Sequence, residues 1–169
     1  MGLFPFFKKE TASALSVTEE KGVLLQPMDG EIIPLADMAD GVFSEGILGN
    51  GCGLIPSGEA VYAPVSGVIS TVAASKHAVG IEADGVEMLI HVGLETVSMN
   101  GKGFDVKVKP GDRVKAGQLL LTFSLAQIQK TPGVKTVSAV LVTNSDDLPA
   151  FRVLRTGTGK AGQPLFKIC

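Results

Sequence analysis

Tryptophan is absent from this chain of 169 residues, histidine and cysteine occur only twice each, and aromatic side chains make up 5% of it. The two cysteines, Cys52 and Cys169, form no CxxC pair. That excludes a thiol-redox motif, a cysteine-rich zinc site and a disulfide framework, and it suits a reducing compartment, read here as the cytoplasm. An excess charge of one sign is also lacking: 17 acidic residues stand against 15 basic ones. Without a basic field the chain is not expected to bind nucleic acid. No apolar run approaches the ~18 residues of a membrane helix. The first residues, Met1-Gly2-Leu3-Phe4-Pro5-Phe6-Phe7-Lys8-Lys9, lack the apolar core and cleavage site of an export signal, and Phe6 stands where a myristoylation site needs Ser or Thr. Three phenylalanines before two lysines suit weak association with a membrane surface. Residues 1–21 are therefore read as an N-terminal tail, with polar linker character from Glu10 to Lys21, and residues 22–169 as a single domain.

What is present is β-structure. Hydrophobic residues are 45% of the chain, enough for one sizeable core, and 21 Gly and 9 Pro break it into short runs. Short β-rich runs between such breakers predict an all-β antiparallel sandwich or barrel. Helix-period segments are confined to short turns near Ala36-Asp37-Met38 and Leu125 to Lys130. Two internal echoes occur: Pro27-Met28-Asp29-Gly30-Glu31-Ile32 with Pro64-Val65-Ser66-Gly67-Val68-Ile69, and Lys115-Ala116-Gly117-Gln118-Leu119 with Lys160-Ala161-Gly162-Gln163-Pro164-Leu165. Two copies of each turn-to-strand unit predict pseudo-symmetry within one domain rather than a solenoid. The stretch from Val108 to Leu120 resembles the repeat unit of barrel-sandwich hybrid folds.

His77 and His91 are the entire histidine complement, and each lies in a strand-like run, the two runs separated by Asp84-Gly85. Two such runs around an Asp-Gly turn predict a hairpin. A three-residue loop pairs Glu82 with Val86 and sets His77 opposite His91; a two-residue loop pairs His77 with Val92 and turns the rings to opposite faces. The first is favoured. It puts His77, Val79, Ile81, Glu87, Leu89 and His91 on one face, and Ala78, Gly80, Val86, Met88, Ile90 and Val92 on the core face. Facing imidazoles suit three chemistries: metal binding, general base catalysis, and nucleophilic catalysis by the ring itself. A metal would need a ligand from elsewhere. One such reading is a metal-dependent hydrolase using His77 and His91 as ligands, with Glu87 or Glu95 as base. A swinging-arm carrier is set aside, because no Lys lies between methionines in a hairpin turn.

The run Gly85-Val86-Glu87-Met88-Leu89-Ile90-His91-Val92-Gly93-Leu94-Glu95-Thr96-Val97 resembles the phosphohistidine signature of the glucose-type IIA proteins of the bacterial phosphotransferase system. The pattern is glycine, two free positions, three aliphatics, histidine, aliphatic, glycine, aliphatic, a free position, threonine and aliphatic. The likeness extends from about Pro27 to Ile168. It implies a phosphotransferase component that accepts phosphate from the phosphohistidine of HPr and donates it to a cysteine on the IIB domain of a sugar permease. It implies that His91 is phosphorylated, that His77 stabilises the phosphoryl group, and that Ser75 orients His77, a family threonine being replaced here by serine. It requires no cofactor, though the family can bind zinc through the two histidines and a partner's carboxylate. Val42, Phe43, Ile47, Val79, Leu89 and Val97 are expected to ring the site as a partner surface. Other transporters or enzymes are further regulatory targets of some members. Without a IIB-type cysteine motif, and with its own initiating methionine, the chain is expected to be free-standing. For attack, a hydrogen bond from the other ring nitrogen of His91 to a carbonyl, with Gly93 the expected source, should fix the tautomer.

Overall fold

The computed structural model describes residues 14–169; the phenylalanine-rich start of the tail lies outside them. The strands are β1 (Val23–Leu25), β2 (Gly30–Pro34), β3 (Asn50–Pro56), β4 (Ala60–Tyr62), β5 (Gly67–Val72), β6 (Ala78–Ala83), β7 (Val86–His91), β8 (Phe104–Val106), β9 (Arg113–Val114) and β10 (Leu119–Phe123). After the short helix α1 (Leu125–Lys130) follow β11 (Ser138–Val142), β12 (Arg152–Val153), β13 (Gly157–Gly159) and β14 (Pro164–Lys167). Every pairing is antiparallel. An eight-stranded sheet runs β13-β2-β3-β11-β7-β6-β5-β9, and two three-stranded sheets run β1-β14-β12 and β4-β10-β8. Residues of all three sheets share one apolar core, including Leu54, Ile90, Leu120 and Phe166. The chain is thus the expected all-β sandwich. Both expected helical turns form, one as a 3-10 turn at Leu35–Met38 and the other as α1, whose first turn is capped by the Ser124 hydroxyl accepting from the Gln127 amide at 3.2 Å.

The internal echoes are repeated bond for bond. Gly117 donates to the Ala63 carbonyl at 2.8 Å, and Gly162 to the Gln26 carbonyl at 2.9 Å. Ala116 donates to Ser66 Oγ at 2.9 Å, and Ala161 to Asp29 Oδ1 at 2.8 Å. The two turns close alike, with Gln118 and Gln163 accepting from the amides of Lys115 and Lys160. One local sequence solves the same turn twice, because each copy has a proline-led partner loop to bond. Residues 14–17 lie across this pair: the Leu15 amide donates to the Gly117 carbonyl at 2.8 Å, and Val17 packs where a Cβ on either Gly117 or Gly162 would meet it. The chain therefore packs on the body before residue 22.

The hairpin of β6 and β7 takes the register that was not favoured. Asp84 and Gly85 form a two-residue turn with φ of 49° and 83°, Ala83 pairs with Val86, and Ala78 pairs with His91. Val79, Ile81, Val86, Met88, Ile90 and Val92 all point into the core, each 5% exposed or less. The other face carries Ala78, Gly80, Glu82, Glu87, Leu89 and His91. This register separates large aliphatics from small and polar residues better than the expected one did. It also matches the strand twist, which favours a turn with two left-handed residues. The three-residue loop was favoured on that same ground of segregation, with His77 counted as a strand residue. It stands one residue before β6, and strand alternation does not govern its side chain.

Candidate functional site

His91 ends β7 on the outer face of the large sheet. Its cross-strand neighbours are Ala78 on β6 and Ala139 on β11, both buried. A methyl group on each side leaves a recess for the ring, which stays half-buried. The segment with the 3-10 turns at Leu35–Met38 and Phe43–Glu45 covers this face, burying Met38 and Phe43 against Ala139 and Leu141. Asp40 holds its second turn in shape, accepting from the amides of Phe43 at 3.0 Å and Ser44 at 2.9 Å. The Phe43 ring then lies 5.0 Å from that of His91.

The two imidazoles meet in spite of the register. The His77 carbonyl accepts the Val92 amide, as the two-residue turn requires, but Lys76 before it takes φ of 64°. The His77 ring comes to 4.6 Å from that of His91, edge to face at 75°. His91 Nδ1 lies 2.8 Å from the carbonyl of Gly93. A carbonyl only accepts, so Nδ1 carries the proton and Nε2 the lone pair. Burial, and next the neighbouring His77, push the His91 pKa down to about 4, against smaller upward effects of the Gly93 carbonyl and Asp40. Burial also lowers that of His77, while the Ser75 carbonyl acts in the opposite direction. Both rings are neutral at neutral pH.

The expected roles map onto this geometry unevenly. No hydrogen bond from the Ser75 hydroxyl, which was expected to orient the ring, reaches His77: its Nδ1 is buried without a hydrogen-bond partner, and the Ser75 backbone only opposes the effect of burial on the ring. Ser75 lies in a tight turn that the Lys76 amide closes by donating to the Ala73 carbonyl at 2.8 Å. Of the six residues expected to form a partner surface, Val42, Ile47 and Val97 are 49%, 78% and 57% exposed, and Leu89 is half-buried. Phe43 is buried as the wall beside His91. Val79 is 0% exposed and belongs to the core, a correction that follows from the register. Leu48, exposed in the same loop as Ile47, was not anticipated.

A pocket of about 380 Å³ opens in front of His91, lined by Asp40, Val42, Phe43, Leu94, Glu95, Val97 and Lys135 among others. Of the two imidazoles, His91 lines it and His77 lies behind, 4.6 Å away ring to ring. Among the described residues no group of three or more His, Cys, Asp and Glu side chains could hold a metal, and even a catalytic zinc takes three protein ligands. These residues do not fit a resident zinc. The hydrolase reading therefore fails, and a zinc shared with a partner finds no support in this chain's own side chains.

Sequence reasoning also missed Asp40, Thr96 and Ser138. Thr96 donates to the Val92 carbonyl at 2.7 Å, and Ser138 accepts from the Gly93 amide at 3.0 Å. An acidic residue three positions before a turn amide is a capping signal that could have revealed Asp40. Ser138, 45 residues from Gly93 along the chain, has no local signal at all.

Residues 22–148 match the family model described as the phosphoenolpyruvate-dependent sugar phosphotransferase system, EIIA 1. The glucose-specific EIIA component of Halalkalibacterium halodurans is 40% identical over 162 residues, covering 95% of this chain and 92% of that protein. The glucose-specific EIICBA component of Staphylococcus carnosus is 38% identical over 161 residues, which are 95% of this chain and 23% of that longer protein. Among solved structures, the glucose permease IIA from Mycoplasma capricolum superposes with a TM-score of 0.77 at 35% identity, covering 90% of this chain and 98% of that one. No helix among the described residues is long and apolar enough to cross a membrane.

Proposed function

We propose that His91 is the phosphoryl-carrying residue of this chain, which belongs to the EIIA type 1 family of the phosphoenolpyruvate-dependent sugar phosphotransferase system. As an EIIA component it accepts a phosphoryl group from HPr and passes it to the IIB domain of a sugar permease. The observation that supports His91 most is its hydrogen bond to Gly93, which leaves Nε2 unprotonated in a ring that stays neutral at neutral pH.

In this reading the Nε2 lone pair attacks the phosphorus of the donor phosphohistidine. A new N–P bond forms as the donor's breaks, and that bond's electron pair returns to the donor ring. His91 keeps its Nδ1 proton, so the phosphorylated ring is cationic and the Gly93 carbonyl stabilises the charge. A cationic ring is a good leaving group, which suits a carrier that holds phosphate briefly. On donation an incoming nucleophile takes the phosphorus, and the N–P pair reverts to Nε2. Phosphoryl transfer asks mainly for alignment and charge stabilisation of the equatorial oxygens. Phe43 and the two alanines align the ring. His77, 4.6 Å away, is placed to donate a ring N–H to a phosphoryl oxygen, with the Ser75 carbonyl beside it. The exposed Val42 and Val97 at the pocket, with the exposed Ile47 and Leu48 of the loop that follows Phe43, form the docking face. Transfer from HPr takes place in the cytoplasm, where we assign the chain. We assign the folded unit to residues 22–169 with the strap of residues 14–21 laid on it.

The test is incubation of the full chain with phosphoenolpyruvate, Enzyme I and HPr, followed by intact-mass analysis under alkaline conditions. His91→Gln should abolish the mass gain, whereas His77→Gln should still be labelled but donate poorly. Normal labelling of His91→Gln overturns the assignment.

A further inference from the structure

Four polar residues are buried among the described residues: Gln26, His77, Thr96 and Ser138. Three of them lie at the His91 site, and of these the chemistry above uses only His77; Ser138 is the one that comes from a distant strand. It is the first residue of β11 and is 0% exposed. Its hydroxyl accepts from the Gly93 amide at 3.0 Å and donates to the Thr136 carbonyl at 2.9 Å. Both of its hydrogen-bonding directions are thereby set, so the hydroxyl cannot rotate without breaking a bond.

Gly93 is the residue this bond controls. It takes φ of 75°, and a Cβ there would lie 2.7 Å from the Lys135 carbonyl. Glycine alone fits, and glycine also turns easily. Each peptide plane next to it is pinned on two sides. In the plane before Gly93, the Val92 carbonyl accepts from Thr96 and the Gly93 amide donates to Ser138. In the plane after it, the Leu94 amide donates to the Lys135 carbonyl at 2.9 Å, and the Gly93 carbonyl therefore points the opposite way, toward His91 Nδ1. The acceptor that sets the His91 tautomer thus lies in the plane after Gly93, and Ser138, from another strand, fixes the plane before it, so the two bonds together set how the glycine turns.

We propose that Ser138 is a positioning residue for phosphoryl transfer, acting through the Gly93 peptide to keep Nε2 of His91 free of its proton. This rests on His91 being the phosphorylated residue. Removal of the hydroxyl orphans a buried amide and loosens the plane before Gly93, leaving the Gly93 carbonyl held from one side only, by the Leu94 bond to Lys135. The His91 ring then loses a fixed acceptor, and part of the population carries the proton on Nε2, where it cannot attack.

The experiment compares Ser138→Ala, Ser138→Cys and Ser138→Thr in the full chain. Nitrogen-15 NMR of the two imidazoles reads the tautomer, and rapid-quench labelling from phospho-HPr reads the rate. Ser138→Ala should give mixed His91 tautomers and a maximal acceptance rate lowered roughly five- to tenfold, the loss of about one hydrogen bond, with the half-saturating phospho-HPr concentration nearly unchanged. Ser138→Thr should restore both. Ser138→Cys keeps the volume with a poor acceptor and should behave like alanine, so it is the variant to read should alanine not fold. A folded Ala or Cys variant with one Nδ1-protonated tautomer and an unchanged rate overturns the proposal. If His91→Gln accepts phosphate, the functional reading falls, whereas the tautomer shift in Ser138→Ala stands apart from it.

Discussion

Acid should weaken this fold before it protonates His91. An ordinary histidine titrates near 6.5, and burial with the neighbouring His77 brings His91 down to about 4. Between those values the unfolded chain takes up a proton that the folded chain refuses. Stability is therefore complete above pH 6.5 and falls as pH drops toward 4. This ring accounts for at most roughly 3.5 kcal/mol of the loss, since each tenfold drop in proton affinity is worth about 1.4 kcal/mol. His77, lowered in the same direction, adds to the loss. Acceptance of phosphate should respond differently. At pH 5.5 an unperturbed imidazole would be only about one-tenth neutral, whereas His91 should remain almost wholly so. The assay is an NMR titration of both rings beside urea unfolding from pH 7.5 to 4.5. His77→Gln should raise the His91 midpoint but leave it below 6.5, because burial is the larger cause. A His91 midpoint near 6.5 in the unaltered chain, or a stability flat across this range, refutes the reasoning.

Two further outcomes follow from the packing. Gly93→Ala places a methyl 2.5 Å from Thr96 and 2.7 Å from the Lys135 carbonyl at a left-handed φ, and should cost roughly 2–4 kcal/mol in urea unfolding together with most phosphate acceptance; a loss under about 0.5 kcal/mol contradicts it. Deletion of residues 1–21 removes the Leu15 bond to Gly117 and the packing of Val17, and should lower stability by about 1–2 kcal/mol relative to deletion of residues 1–13. Equal melting of the two truncations would show that the strap contributes nothing.

Much of the fold was legible because it is written locally. Breaker-bounded runs define the strands, and the repeated turn motifs announce their symmetry. The hairpin misled because the three-residue loop was judged to segregate the faces better and so to set the histidines opposite each other, when a bend at Lys76 and His77 brings the rings together from a register that should have parted them. Val79 was misplaced by the same step. Asp40 and Thr96 act within a few residues of what they hold, and their patterns were there to read.

By itself the sequence determined the β class, the family, and the pair of imidazoles with a glycine two residues after one of them. These depend on local propensity and on a contiguous motif. Only the tertiary structure decided which ring nitrogen is free, how deeply His91 is buried, and that alanines from two other strands and a serine 45 residues from Gly93 frame it. Desolvation and the aim of a peptide plane arise from chain segments that meet only on folding, and no spacing along the chain encodes them.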